Sequence, residues 1–217
     1  MGQLITDPFR AARLVLRLRQ NGITNNGVLS AMEAVDRGRY APAGLADLAW
    51  EDMILPLPCG QSLLPPHSVA RLVDSLALPA EPRGRTLLIG AGSGYTAAIV
   101  ARLCKEVVAV ERFKVLANHA RDHLAANDVH NVEILQEDGL AARDDGPFDS
   151  ILGVGLLEID NPGVLKSLSP GGRAVFARTS GPDGHQRIGI FEGGAWRMGG
   201  SLSVSLTPLI EGVAQVL

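Results

Sequence analysis

Gly90, Gly92 and Gly94, followed by Tyr95 and then by Glu111 about twenty residues after the first glycine, have the types and spacing best suited to hold a ligand. Glycine has no Cβ, so the chain can turn sharply there and bring its backbone close to a bound group. A carboxylate ending the next strand can accept from the hydroxyls of a ribose. Together these residues describe half of a site for an adenosine-type cofactor. Two further stretches carry polar residues in unusual settings. Gly60-Gln-Ser-Leu-Leu-Pro-Pro-His67 sets Ser62 and His67 among prolines and leucines, and Glu137-Asp138-Gly139 follows an apolar run.

These residues need elements to hold them. Thr86–Ile89 reads as a buried strand running into the glycine turn, and a helix follows from Tyr95 to Leu103. Val107–Val110 reads as a second buried strand, ending at Glu111. Helix 113–127, strand 132–136, strand 148–154, a short helix at 162–168 and strand 173–178 continue the alternation, with Pro170-Gly-Gly172 as a turn. Such alternation implies a parallel sheet with right-handed crossovers. Arg187–Phe191, Gly193-Gly194 and Ala195–Met198 read as a hairpin. Ahead of the sheet, helices are expected at 8–20, from Thr24 or Asn25 to Val35, and at 66–78 with Pro66 in the first turn. Leu55–His67 is too rich in proline for a central strand and too apolar for a surface loop. It is expected to be an extended, buried connection beside the cofactor pocket.

The chain has 217 residues, enough for one sizeable α/β core. It is expected to form a single domain over 1–217, with a helical lobe and acceptor-side segment at 1–80 and the cofactor-binding sheet at 81–217. Apolar residues make up 46% and charged residues 20%, which excludes a disordered chain. The net charge of −3 and the lack of a basic block argue against nucleic acid as a partner. Arg10, Arg13, Arg17 and Arg19 cluster on what reads as a solvated helix face. No apolar run approaches membrane-spanning length, so no membrane association is expected. Cys59 and Cys104 have no metal-type spacing, and a reducing cytoplasm is the default. His119 and His123 lie one helical turn apart without a third ligand, so no metal is expected and a solvated face is the simpler reading. Trp50 is expected to pack the lobe against the sheet, with an aromatic wall for substrate as the alternative.

The glycine spacing distinguishes between cofactors. The dinucleotide fingerprint is G-x-G-x-x-G, whereas Gly90-Ala-Gly-Ser-Gly-Tyr95 is G-x-G-x-G and resembles motif I of the class I S-adenosylmethionine methyltransferases. A nicotinamide or flavin site and a turn with no ligand remain as alternatives. A narrower resemblance follows from the rest of the chain. Val28–Arg37, Tyr40-Ala-Pro42, Leu48–Asp52 and Gly60–His67 resemble the N-terminal lobe and the G-Q-T-I-S-x-P-[HY] segment of the protein-L-isoaspartate O-methyltransferases. The glycine turn, Glu111, Glu137-Asp-Gly139, Pro147-Phe-Asp149 and Ser169–Gly172 are similar too, in the right order and over roughly residues 10 to 210.

The resemblance implies a Rossmann-like methyltransferase fold: a seven-stranded, mostly parallel sheet with a C-terminal antiparallel hairpin and an N-terminal helical lobe. It implies S-adenosylmethionine as cofactor and isoaspartyl proteins or peptides as substrate. Gly90, Ala91, Gly92, Ser93, Gly94 and Tyr95 would cradle the amino-acid end of the cofactor. Glu111, with Arg112 beside it, would meet the ribose, and Asp138 with Gly139 the adenine. Leu63 and Ser62 would line the methyl-transfer side, with His67 shaping it. Two positions depart from the family. Leu64 stands where a polar residue lies at the reacting centre, and Leu88 where an acid helps hold the cofactor's ammonium. A weakened or redirected acceptor site, a non-catalytic relative and weaker cofactor binding all follow as expectations.

Overall fold

The computed structural model describes residues 9–79, 81–160, 162–181 and 183–214. Arg10–Gln20 (α1) and Asn26–Ala34 (α2) begin the lobe; Pro8, where the first helix was expected to start, lies outside the described residues. Asn25 is the cap of α2. Its Oδ1 accepts from the N–H groups of Gly27 (2.9 Å) and Val28 (3.3 Å), satisfying donors that the first helical turn leaves free. Leu14, Leu18, Val28, Leu29 and Met32 are buried between the helices and the sheet.

The arginine row of α1 is less solvated than its sequence suggests. Arg10 pairs with Asp36 at 2.9 Å and lies 4.7 Å over the Trp50 ring. Arg17 donates to the Trp50 carbonyl and pairs with Glu51 at 3.1 Å. These contacts fasten α1 to the 3₁₀ turns Arg37–Tyr40 and Ala46–Trp50. Trp50 is buried in this lobe cluster.

Leu55–Pro56 (β1) pairs antiparallel with Ser62–Leu63 (β2) around the turn at Pro58–Gly60. The proline-rich stretch therefore stands outside the main sheet, where missing N–H donors break no long ladder. Pro66–Ser75 (α3) follows, three residues shorter than expected, with Pro66 in its first turn.

The main sheet consists of Arg85–Ile89 (β3), Glu106–Val110 (β4), Val132–Leu135 (β5), Phe148–Leu156 (β6), Leu168–Ser180 (β7), His185–Glu192 (β8) and Ala195–Ser201 (β9). Among the described residues its order is β5-β4-β3-β6-β7-β8-β9, parallel from β5 to β7 and antiparallel through β8 and β9. Tyr95–Ala101 (α4) and Lys114–Ala126 (α5) make the first two crossovers. The expected architecture is therefore present. Pro170-Gly-Gly172 is not a turn ahead of β7 but an irregularity inside it: Leu168 pairs with Phe148, while Arg173 pairs with Ser150, and Gly171 has φ +77°.

Side-chain alternation divides the core between the two faces of the sheet. Leu88, Val107, Ala109, Leu152 and Val175 join the helices of the lobe in one cluster. Leu87, Ile89, Val108, Ile151 and Phe176 form the other, closed by Leu140, Leu157 and Val164 from connecting segments. The short helix expected at 162–168 is a 3₁₀ turn, Gly163–Ser167. Because β3 has β4 on one side and β6 on the other, its connections diverge at its carboxyl end. A crevice at such a switch point is the ordinary ligand site of open α/β sheets.

Candidate active site

The turn after β3 is shaped by glycine conformations. Gly90, Gly92 and Gly94 have φ of +87°, +54° and +88°, a region that side chains with a Cβ adopt at a cost. Gly90 and Ala91 donate to the Val110 carbonyl at 2.8 and 3.3 Å, which ties the turn to the end of β4. Glu111, 5% exposed, completes the link. Its Oε2 accepts from Gly92 N–H at 2.9 Å and its Oε1 from Phe113 N–H at 3.0 Å. Each oxygen keeps a lone pair for a further donor.

Two hollows adjoin here, of about 620 and 640 Å³ with their open mouths. They share Gln61, Gly90, Glu111, Val154 and Thr207. The first is walled on one side by Ala91, Gly92, Ser93 and Thr96, and on the other by Leu57, Ser62, Leu63 and Leu64. The second has flat apolar walls from Ile89, Val110, Phe113 and Leu140, with Arg112, Glu137 and Gly139 at its polar side. Gly139 is required there, since a Cβ would lie 2.4 Å from Ile89 Cγ2.

The roof comes from Ser205–Ile210, a segment without a motif. Ser205, Leu206 and Thr207 line the first hollow, and Pro208, Leu209 and Ile210 the second. The segment lies along the end of β6, with Leu156 N–H donating to Thr207 O at 2.9 Å and Leu209 N–H to Leu156 O at 2.8 Å. Farther on, Gly212 N–H donates to Asp138 Oδ2 at 2.8 Å and Ala214 N–H to Arg112 O at 3.1 Å. Ser205–Ile210 contains no residue type that signals chemistry. Its signal lies elsewhere, in the glycines of β6: a Cβ on Gly155 would lie 2.6 Å from Leu209 Cδ2, and glycine inside a strand marks close approach of another segment.

The singled-out residues fall into two groups. Ser62, Leu63, Leu64, Gly90, Ala91, Gly92, Ser93, Tyr95 and Glu111 line the first hollow, and Arg112 and Gly139 the second. Tyr95 is turned away at its tip: its hydroxyl meets Met32 Sδ at 3.9 Å, and burial raises its pKa. Gly94 shapes the turn from behind, where a Cβ would lie 3.2 Å from Ala120 O. Asp138 lines neither hollow; its Oδ1 accepts from Leu140 N–H at 2.9 Å while Oδ2 is held by Gly212. His67 also lies outside both. It sits in the first turn of α3, its backbone N–H donates to Asp52 Oδ1 at 2.9 Å, and its buried Nε2 has no partner among the described residues. Leu88 is fully buried in the helix-side core and lines neither hollow.

One further expectation is modified. His123 is not on a purely solvated face: its Nδ1 bonds the Ser93 carbonyl at 2.8 Å and its ring lies edge-on to Tyr40. His119 remains exposed. Cys59 is half-buried with φ +59° and serves the turn between β1 and β2.

Comparison with known proteins gives matches along most of the chain. Residues 10–205 match the family model described as protein-L-isoaspartate(D-aspartate) O-methyltransferase. A protein-L-isoaspartate O-methyltransferase of Azoarcus sp. (strain BH72) is 38% identical over 205 residues, 93% of each chain. One from Dechloromonas aromatica (strain RCB) is 41% identical over 79% of this chain and 80% of its own. Among solved structures, a protein-L-isoaspartate O-methyltransferase aligns with TM-score 0.78 at 18% identity, over 91% of this chain and 65% of that one. A Plasmodium falciparum structure of the same description, in complex with S-adenosyl-L-homocysteine, aligns with TM-score 0.75 at 21% identity, over 91% and 97%. At these identities the two structures establish the shared fold.

Proposed function

The chain belongs to the protein-L-isoaspartate(D-aspartate) O-methyltransferase family, and from that premise we propose that it methylates the free carboxylate of isoaspartyl sites in damaged proteins and peptides, with S-adenosylmethionine as donor. The observation that carries this reading is the pair of hollows meeting at Glu111, one flat and apolar, the other walled by Ser62–Leu64. An elongated nucleoside ligand suits that shape, with base, sugar and amino-acid end in sequence. The polar groups suit it too. Ser93 Oγ and Arg112 Nε are buried without a partner among the described residues, and each belongs to a side chain lining one hollow; buried polar atoms ordinarily have partners.

In this reading Gly90–Tyr95 holds the amino-acid end of the cofactor and Glu111 the ribose hydroxyls. Gly139 meets the adenine, and Asp138, outside both hollows, braces that wall by accepting from the Leu140 and Gly212 amides. Leu63 and Arg112 complete the contacts. The bound cofactor supplies a methyl group made electrophilic by its sulfonium.

The chain's own task is alignment and exclusion of water. An acceptor carboxylate has an intrinsic pKa near ~4, so it is ionised at neutral pH and needs no general base. The first hollow is built accordingly. Among the described residues its titratable side chains are Glu111, held by two amides, and Tyr95, whose hydroxyl is at Met32. An amine or hydroxyl acceptor, which must shed a proton, finds no obvious base here. Leu57, Leu63, Leu64 and Leu206 keep the hollow dry, while Ser62, Ser205 and Thr207 bring hydroxyls to orient the carboxylate. Orientation of this kind can contribute roughly 7–11 kcal/mol. Leu64 removes one hydroxyl from that set, a loss of about 1–3 kcal/mol. Transfer is slowed and not abolished. A cytoplasmic location goes with the reading, since Cys59 and Cys104 stand free and no helix among the described residues is long and apolar enough to cross a membrane.

The test is transfer of labelled methyl groups to an isoaspartyl peptide and to its aspartyl twin. Base-labile label on the isoaspartyl peptide alone is expected. Equal labelling of both, or binding of S-adenosylhomocysteine with label on neither, refutes the assignment of the acceptor.

A further inference from the structure

The wall that carries Ser62, Leu63 and Leu64 has little to hold it. Its ladder is two residue pairs long, Leu55 with Leu63 and Pro56 with Ser62, and an isolated hairpin of this size is not stable by itself. A slip of one residue would turn Ser62 to the opposite side. Behind the wall lies Arg37, wholly inaccessible to solvent.

Its guanidinium has no ion-pair partner at bonding distance among the described residues and donates to four main-chain carbonyls. Nη2 reaches Leu64 O at 2.7 Å, Leu63 O at 3.4 Å and Met53 O at 3.3 Å, and Nη1 reaches the carbonyl of Ala49. Its Nε has no partner among the described residues, and Cζ lies 5.7 Å from the Tyr95 ring centroid. Burial of the charge lowers its pKa. A buried charge without a carboxylate is costly, and apolar side chains fill a core at lower cost. The carbonyls it binds are the informative feature, because two of them belong to adjacent residues that line the first hollow.

We propose that Arg37 is a positioning residue for methyl transfer: its planar fork pins the carbonyls of Leu63 and Leu64, and so fixes which side of this short strand faces the acceptor. Lysine cannot replace it, since one ammonium lacks the spread of a guanidinium's donors. The assignment of a role in transfer rests on the carboxyl-methylation reading, whereas the pinning of the wall does not.

The test compares Arg37→Lys and Arg37→Gln with the unmodified chain by three measurements: hydrogen exchange of residues 55–65 in the ligand-free protein, calorimetric affinity for S-adenosylhomocysteine, and kcat and KM for the isoaspartyl peptide. Exchange across 55–65 is expected to rise at least tenfold in both variants while that of 85–89 and 106–110 stays as it was. Affinity for S-adenosylhomocysteine should hold within about threefold and kcat should fall at least tenfold, with Lys no better than Gln. Unchanged exchange over 55–65, or kcat within twofold of the unmodified chain, overturns the proposal. So does a parallel loss of cofactor affinity and kcat, or unfolding of both variants, since Arg37 would then serve the core at large. If the unmodified chain binds S-adenosylhomocysteine and labels no peptide, the reading of the reaction fails, while the exchange data still decide whether Arg37 pins the wall.

Discussion

The glycine turn and the Leu55–Leu64 segment face each other across one hollow, and they are held by different means. The turn hangs from two five-residue parallel strands, and its own amides bond Val110 and Glu111. Its shape is a property of backbone dihedrals and neighbouring ladders, so few side chains can alter it. The opposite wall is a two-pair hairpin whose carbonyls bond one buried arginine. The difference separates two duties. On the proposed reading, affinity for the cofactor belongs mainly to the rigid side, with Leu63 adding one contact from the other, and choice and alignment of the acceptor belong to the side whose order depends on a few long-range contacts.

That division can be broken most severely at Gly90. A Gly90→Val substitution places a β-branched residue at φ +87°, with its Cβ 3.4 Å from Val154 O. Strain of about 1–3 kcal/mol, together with the lost approach of the backbone, should lower affinity for S-adenosylhomocysteine by about 100-fold in calorimetry. Next is Glu111→Gln, which keeps the side chain's outline, removes the charge and sets an NH2 against one of the two backbone amides that the carboxylate accepts from. A hydrogen bond to a charged group contributes ~1.5–3 kcal/mol, so affinity should fall by roughly 10- to 100-fold while KM for the peptide changes little. An equal change in both would dissolve the comparison.

On the acceptor side, Leu64→Ser is expected to raise kcat for the isoaspartyl peptide by about tenfold and leave cofactor affinity unaltered. Its stability should drop by about 2–4 kcal/mol in urea unfolding, because Leu64 is buried. Unchanged labelling would mean that Ser62 already orients the carboxylate. The smallest effect concerns pH. Burial pushes the Tyr40 phenol up to about 12 and raises Tyr95 as well. An unfolded phenol ionises near ~10, so the stability these groups contribute is complete below that pH. It is lost as pH climbs from there through the folded values. The urea midpoint should decline from about pH 10 upward, and Tyr40→Phe should flatten the decline. The transfer rate, with no base in the hollow, should be nearly level from about pH 6.5 to 9.

The same contrast marks how far the sequence could be read. The glycine turn, the strand ending at Glu111 and the alternation through β7 were legible because they rest on local rules: a residue without a Cβ, a run of apolar residues, a spacing. Leu55–Leu64 was legible as extended and beside the pocket from its prolines and leucines, but the expected burial holds only for Leu55, Leu63 and Leu64, because the segment is a hairpin that leaves Pro56, Pro58 and Gly60 exposed. Arg37 was legible only as the last residue of the Val28–Arg37 stretch and had no role assigned to it, because its partners are carbonyls 12 to 27 positions away. The Ser205–Ile210 roof was hidden for a related reason: it acts through main-chain bonds, apolar side chains and two hydroxyls with no motif around them. The acid missing at Leu88 reads differently in three dimensions. That side chain points into the helix-side core, so Leu88→Glu should destabilise the fold before it aids the cofactor.

By itself, then, the sequence determined the order of strands and helices, the glycine bend after the first core strand and the acid at its edge, since each depends on neighbours within about twenty residues. Only the tertiary structure decided what closes the other side. A segment from the end of the chain roofs the cleft, Asp138 and His67 turn out of it, and one buried guanidinium backs the acceptor wall. These are contacts between residues far apart in the chain, and packing alone selects among them.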